Sequence, residues 1–317
     1  MTFLKVKGLD TKRDRLSDLP DELLCHIISL LPINETVRTS ILSTRWKNLF
    51  TLISTLDLDG KNKPQKFFRY GFMNIVDRVL FARKGSDVDK FCLKCGDEVV
   101  DPGRAEGWIQ YALWHNVREL ELDFVEHDFG APMEQCFKMP AGLFTCKTLV
   151  TLKLQMEESF VVKIPSKVSL PRLKILYLEL IEFSDDDSVK RLFSSCTALE
   201  ELVVQNCSFE YMNISFSNST LKRLTISYYP GVYEHVNVVL INAPSLVYFK
   251  YFHFISKYHL FIDIHSLVEA YIDFGPVLNS VFYDYGTTDL TRGISHVQTL
   301  HLSGPFSEVC FLILVSC

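Results

Sequence analysis

The residues that could bind a metal or carry out covalent chemistry are few and scattered in this 317-residue chain. The most suggestive motif is Cys92-x-x-Cys95, which would supply two thiolates at the spacing of a structural zinc site. Such a site needs two more ligands, and no second CxxC or paired histidine follows at a suitable distance. The motif therefore favours two ordinary thiols over a metal site.

The other candidates for chemistry are weaker. His253, His259 and His265 are six residues apart, a spacing that suits neither one helical face nor a strand pair in register. The acidic run at residues 185–187 lacks the twelve-residue loop of an EF-hand and is typical of a solvated helix start. GxGxxG, P-loop, HExxH and GxSxG motifs are absent from the sequence. We therefore predict no catalytic residue, no metal and no cofactor.

Composition narrows the class of protein and its compartment. With 48% hydrophobic and 22% charged residues the chain can build a large core, and a net charge of −5 argues against a general nucleic-acid binder. The first fifteen residues lack the apolar core of a signal peptide, and the apolar run at 309–315 is far too short to span a bilayer. Nine irregularly spaced cysteines indicate free thiols rather than a disulfide framework. We expect a cytoplasmic or nuclear protein without nucleic-acid or membrane partners.

A compact helical unit is predicted for residues 14–50. Leu19, Leu23, Ile27 and Leu31 recur every four residues after Pro20, and Pro32 should end this first helix. A second helix and a third short turn follow, with apolar faces formed by Val37, Ile41, Leu42 and Trp46. A unit of this size rarely buries enough apolar surface to fold alone, so it should pack against the rest of the chain or a partner.

The order of residues in this unit resembles a known family. Leu-Pro-x-Glu-Leu-Leu, Ile-Ile-x-x-Leu-Pro and Val-Arg-Thr-Ser-x-Leu-Ser-x-Arg-Trp resemble the F-box of plant F-box/leucine-rich-repeat proteins. Two departures, Ile33 for a frequent capping threonine and Thr36 for the usual alanine, should weaken the second helix slightly. The resemblance implies a three-helix F-box domain at residues 14–60 that docks on a Skp-family adaptor. The predicted adaptor-binding residues are Leu19, Pro20, Leu23, Leu24, Ile27, Leu31, Pro32, Val37, Ile41, Leu42 and Trp46.

A second pattern, φ-x-x-φ-x-φ with φ apolar, recurs nine times after the helical unit. It begins with Val88/Phe91/Leu93 and ends with Val297/Leu300/Leu302, and the central residues of the last eight blocks are 21 to 32 residues apart. That interval brackets the period of leucine-rich repeats, and the alternation inside each block indicates a short strand with one buried face. Between the blocks, residues 67–80, 107–117 and 185–196 are predicted helices.

These patterns predict an α/β fold, in which a three-helix F-box precedes an irregular leucine-rich-repeat solenoid at residues 61–317. The solenoid should be a curved parallel sheet with helical or irregular returns; a generic α/β repeat would look similar, whereas the helices argue against a β-sandwich. Many members of the resembled group carry a C-terminal FBD domain, and nothing here corresponds to it. The chain is thus either a short natural form or an incomplete gene model.

The resemblance implies a non-catalytic substrate receptor of an SCF-type (Skp–cullin–F-box) ubiquitin ligase, with the repeats holding a target protein. The alternative is a scaffold that binds the adaptor without ubiquitin transfer. On the expected concave face we count seven outward acids, from Glu119 to Asp273, against three bases, beside several aromatic side chains. A basic, partly apolar target segment would suit this face, although solvated strands could simply tolerate acids. The predicted target-binding residues are Glu121, Asp123, Tyr177, Tyr248, Phe252 and Tyr271.

Overall fold

The fold is seen in a computed structural model, in which most of the chain can be described. The described residues are 16, 18–31, 35–36, 39, 45–46, 49, 51–60, 71–83, 85, 87–95, 101–124, 138–209, 212–228, 236–252, 256–273, 290 and 292–303. Among them, no helix is long and apolar enough to cross a membrane.

The described residues up to Ile53 form a helical unit, which we call the head. Its helix α1 (Asp21–Ser29) follows Pro20 directly and carries two acids in its first turn, where they complement the positive end of the helix dipole. Leu24 and Ile28 are buried on one side of α1 and belong to the same core as Leu49. The head therefore shares its core with the body of the protein.

The body is built on a ten-stranded sheet in which every neighbouring pair is parallel. Its strands lie in the order β1-β2-β3-β4-β5-β6-β8-β10-β12-β13. Their bounds are β1 Thr55–Asp59, β2 Lys90–Lys94, β3 Glu119–Asp123, β4 Thr151–Val162, β5 Ile175–Phe183, β6 Glu201–Gln205, β8 Arg223–Ser227, β10 Tyr248–Phe252, β12 Glu269–Asp273 and β13 Thr299–Ser303. The sheet is open, as a solenoid requires, and this confirms the predicted fold class.

Register explains why the apolar pattern specifies this sheet. Leu120 of β3 lies opposite Phe91 of β2 and Leu152 of β4, and the next inward position repeats the alignment with Leu122. These side chains are at most 1% exposed. Each repeat thus adds two rungs to continuous apolar ladders, and a slip by one residue would expose the whole set.

All nine predicted blocks become strands of this sheet, and the sequence analysis missed a tenth. Ile53, Leu56 and Leu58 have the same pattern and form β1, which pairs with β2 along its full length. This strand lies inside the range 14–60 that was assigned to the F-box domain. The main sheet consequently begins at Thr55, six residues before residue 61, the predicted start of the repeats.

The returns between strands differ along the chain. The first are helices α2 (Gly71–Ala82) and α3 (Pro102–Trp114), then a 3-10 helix (Ala141–Thr145) and α4 (Asp186–Ser194). Later returns are strands β7 (Asn213–Ser217), β9 (Val236–Asn242) and β11 (Ser256–Asp263), which form a second parallel sheet in the order β11-β9-β7. Helical or irregular returns were predicted throughout, so this second sheet is a correction. Its β-branched and alternating residues, such as Val239 and Ile241, are buried against the main sheet's core.

Candidate functional site: the head surface and the open face of the repeats

The head presents apolar side chains to solvent along α1. Leu23 and Leu30 are 51% and 71% exposed, and Pro20 is exposed beside them. Leu19, Ile27, Leu31 and Trp46 are half-buried. The spacing of these residues places an apolar strip on the outside of the head, as a surface that binds another protein would require.

Of the predicted adaptor-binding residues, one is fully buried and four lie beyond the described residues. Leu24 is fully buried and belongs to the core that the head shares with the body. Helical periodicity identifies apolar positions but does not say which of them another element covers. Pro32, Val37, Ile41 and Leu42 lie outside the described residues.

Thr36 has a structural role that the sequence analysis missed. Its side chain is 2% exposed, and its hydroxyl lies 3.3 Å from the carbonyl oxygen of Ile28 and 3.2 Å from that of Leu31. The Ile28 carbonyl also accepts from the Leu31 N–H at 3.1 Å, so the hydroxyl chiefly supplies a partner for the Leu31 carbonyl just past α1. The departure from alanine at this position therefore stabilises the end of α1.

Arg45 and Cys25 set the direction of the third helical segment. The Arg45 guanidinium bonds Asp21 and the Leu19 carbonyl, each at 2.6 Å, and the Cys25 thiol bonds the Leu49 carbonyl at 3.8 Å. Position 45 is thus matched with 21 and position 49 with 25. The segment that contains residues 45, 46 and 49 therefore runs in the same direction as α1.

The second candidate surface is the face of the main sheet opposite the buried ladders, which we call the open face. Each strand contributes three outward positions to it. Nine of these outward residues are acidic and five are lysine or arginine. The acidic residues are Asp57, Asp59, Glu119, Glu121, Asp123, Glu179, Glu201, Glu269 and Asp273, and the basic residues are Lys90, Lys94, Lys153, Arg223 and Lys250. The acidic excess of four lies entirely on β1 to β6, since Glu269 and Asp273 are balanced by Arg223 and Lys250.

The predicted acidic residues Glu121 and Asp123 are not free to meet a target. Glu121 lies 2.9 Å from the ammonium nitrogen of Lys94 and 4.0 Å from that of Lys153, and Asp123 is only 7% exposed. Burial alone would raise the pKa of Glu121, but the hydrogen bond from Lys94 and the two lysine charges lower it below its ordinary value. This carboxylate is ionised and already neutralised. Asp57 and Glu119 are the more exposed acids of the same strands.

Tyr177 belongs to a separate polar network. Its hydroxyl donates to Glu179 at 2.9 Å and lies 3.1 Å from the amide oxygen of Gln205, while Gln155 donates to Glu179 at 2.7 Å. Glu179 is 8% exposed, so both donors satisfy a carboxylate that is nearly removed from water. Tyr177 therefore serves to order β4, β5 and β6 on the open face.

The aromatic residues of the later strands form a stacked row, which we call the aromatic ladder. The Arg223 guanidinium carbon lies 3.9 Å from the ring centre of Tyr248, and the ring centres of Tyr248 and Tyr271 are 5.6 Å apart. Tyr271 in turn stacks on His301 at 4.0 Å with an interplanar angle of 2°. Its hydroxyl donates to Glu269 at 2.7 Å, a bond that raises the pKa of Tyr271. The ring faces are thus used within the ladder, and a partner would meet the ring edges.

The structure brings only some of the predicted target residues together. Tyr248, Phe252 and Tyr271 lie on the adjacent strands β10 and β12. Tyr177 is three strands away from Tyr248 and Glu121 is five, or about 14 Å and about 24 Å at the usual strand spacing. The open face accordingly has an acidic half and an aromatic half.

The cysteines and other possible metal ligands can be compared with the sequence prediction in the described part of the chain. No group of three or more His, Cys, Asp or Glu side chains could hold a metal ion there. Cys92 and Cys95 are both buried and form no disulfide, and burial raises the pKa of Cys92 far above its usual value. Cys25, Cys146, Cys196 and Cys207 form no disulfide either, while Cys136, Cys310 and Cys317 lie outside the described residues.

Comparison with known proteins agrees with this two-part architecture. Residues 16–55 match the F-box domain model, and residues 105–264 match the model of the LRR repeats of the FBD-associated F-box protein At5g56370. The chain is 35% identical to the F-box/LRR-repeat protein At3g59200 of Arabidopsis thaliana, over 94% of the chain and 60% of that protein. It is 36% identical to the F-box/LRR-repeat protein At4g14103 of the same plant, over 95% of the chain and 81% of that protein.

The matched regions coincide with the head and with the middle of the repeat sheet. The chain spans between three fifths and about four fifths of the length of these two relatives. Identity of this level over nearly the whole chain, together with both family models, shows the family. The chain belongs to the F-box/LRR-repeat proteins.

Proposed function

We propose that this protein is the substrate-recognition subunit of an SCF-type ubiquitin ligase. The F-box head would dock on a Skp-family adaptor, which connects it to a cullin, and the repeats would bind the protein to be ubiquitinated. The observation that carries the proposal is the joining of an F-box head with exposed leucines to an open repeat sheet whose outward face is polar and aromatic. The protein itself would catalyse no reaction. It would raise the effective concentration of the target near the ubiquitin-charged enzyme.

Docking of the head should be driven by apolar contact. Burial of an exposed aliphatic side chain contributes about 1.5–3 kcal/mol, so two or three anchors along α1 would dominate the affinity. Leu23 is the best placed of the predicted residues, with Leu19 and Ile27 supporting it from half-buried positions.

Target binding would use the open face. A target segment with basic residues suits the acidic half on β1 to β6, where Asp57 and Glu119 remain exposed. An apolar or aromatic group suits the ladder around Tyr248 and Tyr271, because stacking and the bond to Glu269 hold these rings in fixed positions. We place this activity in the cytosol or nucleus, where the six described thiols would remain reduced.

The adaptor half of the proposal is tested by the Leu19→Ala/Leu23→Ala double variant. We expect it to lose the Skp-family adaptor in pull-downs at high salt while its repeat body keeps the wild-type circular dichroism. Retention of the adaptor at wild-type strength would refute F-box docking. Cullin in the wild-type eluate distinguishes a ligase receptor from the alternative scaffold, which would bring down the adaptor alone.

The target half is tested with two variants on different parts of the open face. Tyr248→Ala/Tyr271→Ala removes two rings of the ladder, and Glu119→Lys reverses an exposed charge without breaking the Glu121–Lys94 pair. We expect both to reduce capture of target proteins, and the charge reversal to do so most at low salt. Undiminished capture by both variants would mean that the open face is not the receptor surface.

A further inference from the structure

The two most exposed large hydrophobic side chains of the described residues lie on the repeat body, outside the head and the open face. Phe81 is 93% exposed and Trp114 is 75% exposed, and Leu52 at the junction with the head is 52% exposed. Single exposed apolar residues are ordinary, but a contiguous group of them usually marks a binding surface.

These three side chains lie along one edge of the sheet. Leu52 precedes β1, Phe81 is near the end of α2 before β2, and Trp114 ends α3 before β3. The three connecting loops bond to one another in sequence.

The contacts of these loops fix their order. Arg83 donates to the carbonyl of Ile53, the Val88 N–H donates to the carbonyl of His115 at 2.8 Å, and Asn116 donates to Asp87 at 3.0 Å. Leu52, Phe81 and Trp114 therefore follow each other along neighbouring loops.

The exposed apolar side chains continue from these loops onto the head. The contacts of Arg45 with Asp21 and of Cys25 with Leu49 show that the third helical segment runs parallel to α1. Leu30, just past the end of α1, and Leu52, just past residue 49, accordingly lie at the same end of the head. Leu30 is 71% exposed.

We propose that Leu30, Leu52, Phe81 and Trp114, which we call the edge patch, form an accessory contact for the same Skp-family adaptor that docks on the head. This inference rests on the proposed function. Leu30 and Leu52 both lie within the residues that match the F-box model, and Leu30 directly follows α1, which carries the exposed leucine assigned to the adaptor.

The size of the patch supports this assignment. One partner of a standard interface contributes about 800 Å². Two buried aromatic side chains supply about 150–250 Å² each, or roughly half of that area. The small head alone would have to provide the whole of it, whereas head and edge patch together reach it readily.

The test measures the affinity of the full chain for a purified Skp-family adaptor by calorimetry. Phe81→Ser/Trp114→Ser should weaken binding about tenfold or more, mainly through faster dissociation. Leu260→Ser/Ile262→Ser is the matched control, since these apolar residues of β11 are 48% and 64% exposed but remote from the head in the sheet order. The control should bind like wild type. A photo-crosslinking phenylalanine analogue at position 81 of the otherwise unchanged chain should cross-link to the adaptor.

The outcomes separate this inference from the proposed function. Wild-type affinity in the edge variant, with binding lost in Leu19→Ala/Leu23→Ala, would overturn the accessory contact and leave F-box docking intact. Cross-linking of position 81 to a second copy of this chain, or to a captured target, would also overturn it. No binding of the wild-type chain to the adaptor would refute the proposed function itself.

Discussion

The hydroxyl of Thr36 gives a direct test of how the head is held together. Thr36→Val keeps the size and branching of the side chain but removes its hydrogen bond to the end of α1. The Ile28 carbonyl would still accept from the Leu31 N–H at 3.1 Å. The hydrogen bond whose loss matters most is therefore the one to the Leu31 carbonyl.

The size of the effect follows from burial. Because Thr36 is 2% exposed, water cannot easily replace its hydroxyl, and an unsatisfied buried acceptor costs about 1–3 kcal/mol. We take about 1–2 kcal/mol, since Leu31 itself is half-buried. A loss of that size shifts an opening equilibrium about 5- to 30-fold.

Hydrogen exchange of the α1 amides, followed by mass spectrometry on the full chain, measures this opening locally. We expect exchange in α1 to accelerate by that factor in Thr36→Val, with the strands of the repeat sheet unchanged. Ser29→Ala is the matched control, because its 2.7 Å bond to the His26 carbonyl is solvent-exposed and its loss should change exchange less than about twofold. Equal exchange in Thr36→Val and wild type, or equal acceleration in the control, would refute this role for Thr36.

Three further predictions concern the repeat body. Gly293→Ala should lower the thermal midpoint, because the new Cβ would overlap an aromatic ring of β11 at a cost of about 1–3 kcal/mol. Gly107→Ala should instead raise the free energy of unfolding by about 0.5–1 kcal/mol, because Gly107 is an exposed helical residue and its new Cβ would meet no atom within 4 Å. Equal midpoints for the two variants would contradict this packing. Asp185→Ala should destabilise the chain by about 0.5–2 kcal/mol at pH 7, because Asp185 caps α4 through the Ser188 N–H. The hydrogen bonds of its side chain lower the pKa of Asp185 to about 2. The stabilisation by this cap is therefore fully present above the unfolded pKa near 4 and should be lost from there down to about pH 2. A constant difference in stability between variant and wild type across acid denaturation curves would count against this prediction. Burial raises the pKa of Cys196 to about 12 and that of Cys92 still further, so neither thiol should react with iodoacetamide at pH 8 until the chain unfolds, and rapid labelling of either in a peptide map would disprove its burial.

The repeat sheet was accessible to sequence reasoning because its signal is periodic. Each strand needs two inward apolar residues and one before them, and nine such blocks were found at the right positions. The block at Ile53, Leu56 and Leu58 was missed because it directly follows the F-box motif and was counted with it. Local pattern identifies a strand, but only pairing shows to which unit it belongs.

The second sheet and the lysine partners of the open-face acids could not be predicted from the apolar pattern, for a different reason. Asn213–Ser217 is a five-residue strand whose outward residues are polar, so alone it resembles a loop. Glu121 was predicted to face outward and does, but its partners Lys94 and Lys153 come from strands 27 and 32 residues away. Lateral neighbours on a parallel sheet depend on the lengths of the returns, which alternation within one strand does not encode.

The motif was enough to predict the head, but it did not predict which apolar residues of the head are buried and which are exposed. Leu23 and Leu24 are consecutive apolar residues of α1, yet one is 51% exposed and the other fully buried. The difference arises because Leu24 and Ile28 lie on the side of α1 that belongs to the shared core. The edge patch was missed altogether, since Phe81 and Trp114 occupy unremarkable positions at helix ends.

As a ligase receptor, the protein would hold a target on its repeats and deliver it for ubiquitination through its head. The most direct test of this role compares wild type with Leu19→Ala/Leu23→Ala in plant cells under proteasome inhibition, by capturing bound proteins and quantifying the ubiquitin attached to each. The account predicts that both forms capture the same proteins through the repeats, and that these proteins carry ubiquitin chains only with wild type. Equal ubiquitination of the captured proteins by the two forms would contradict it.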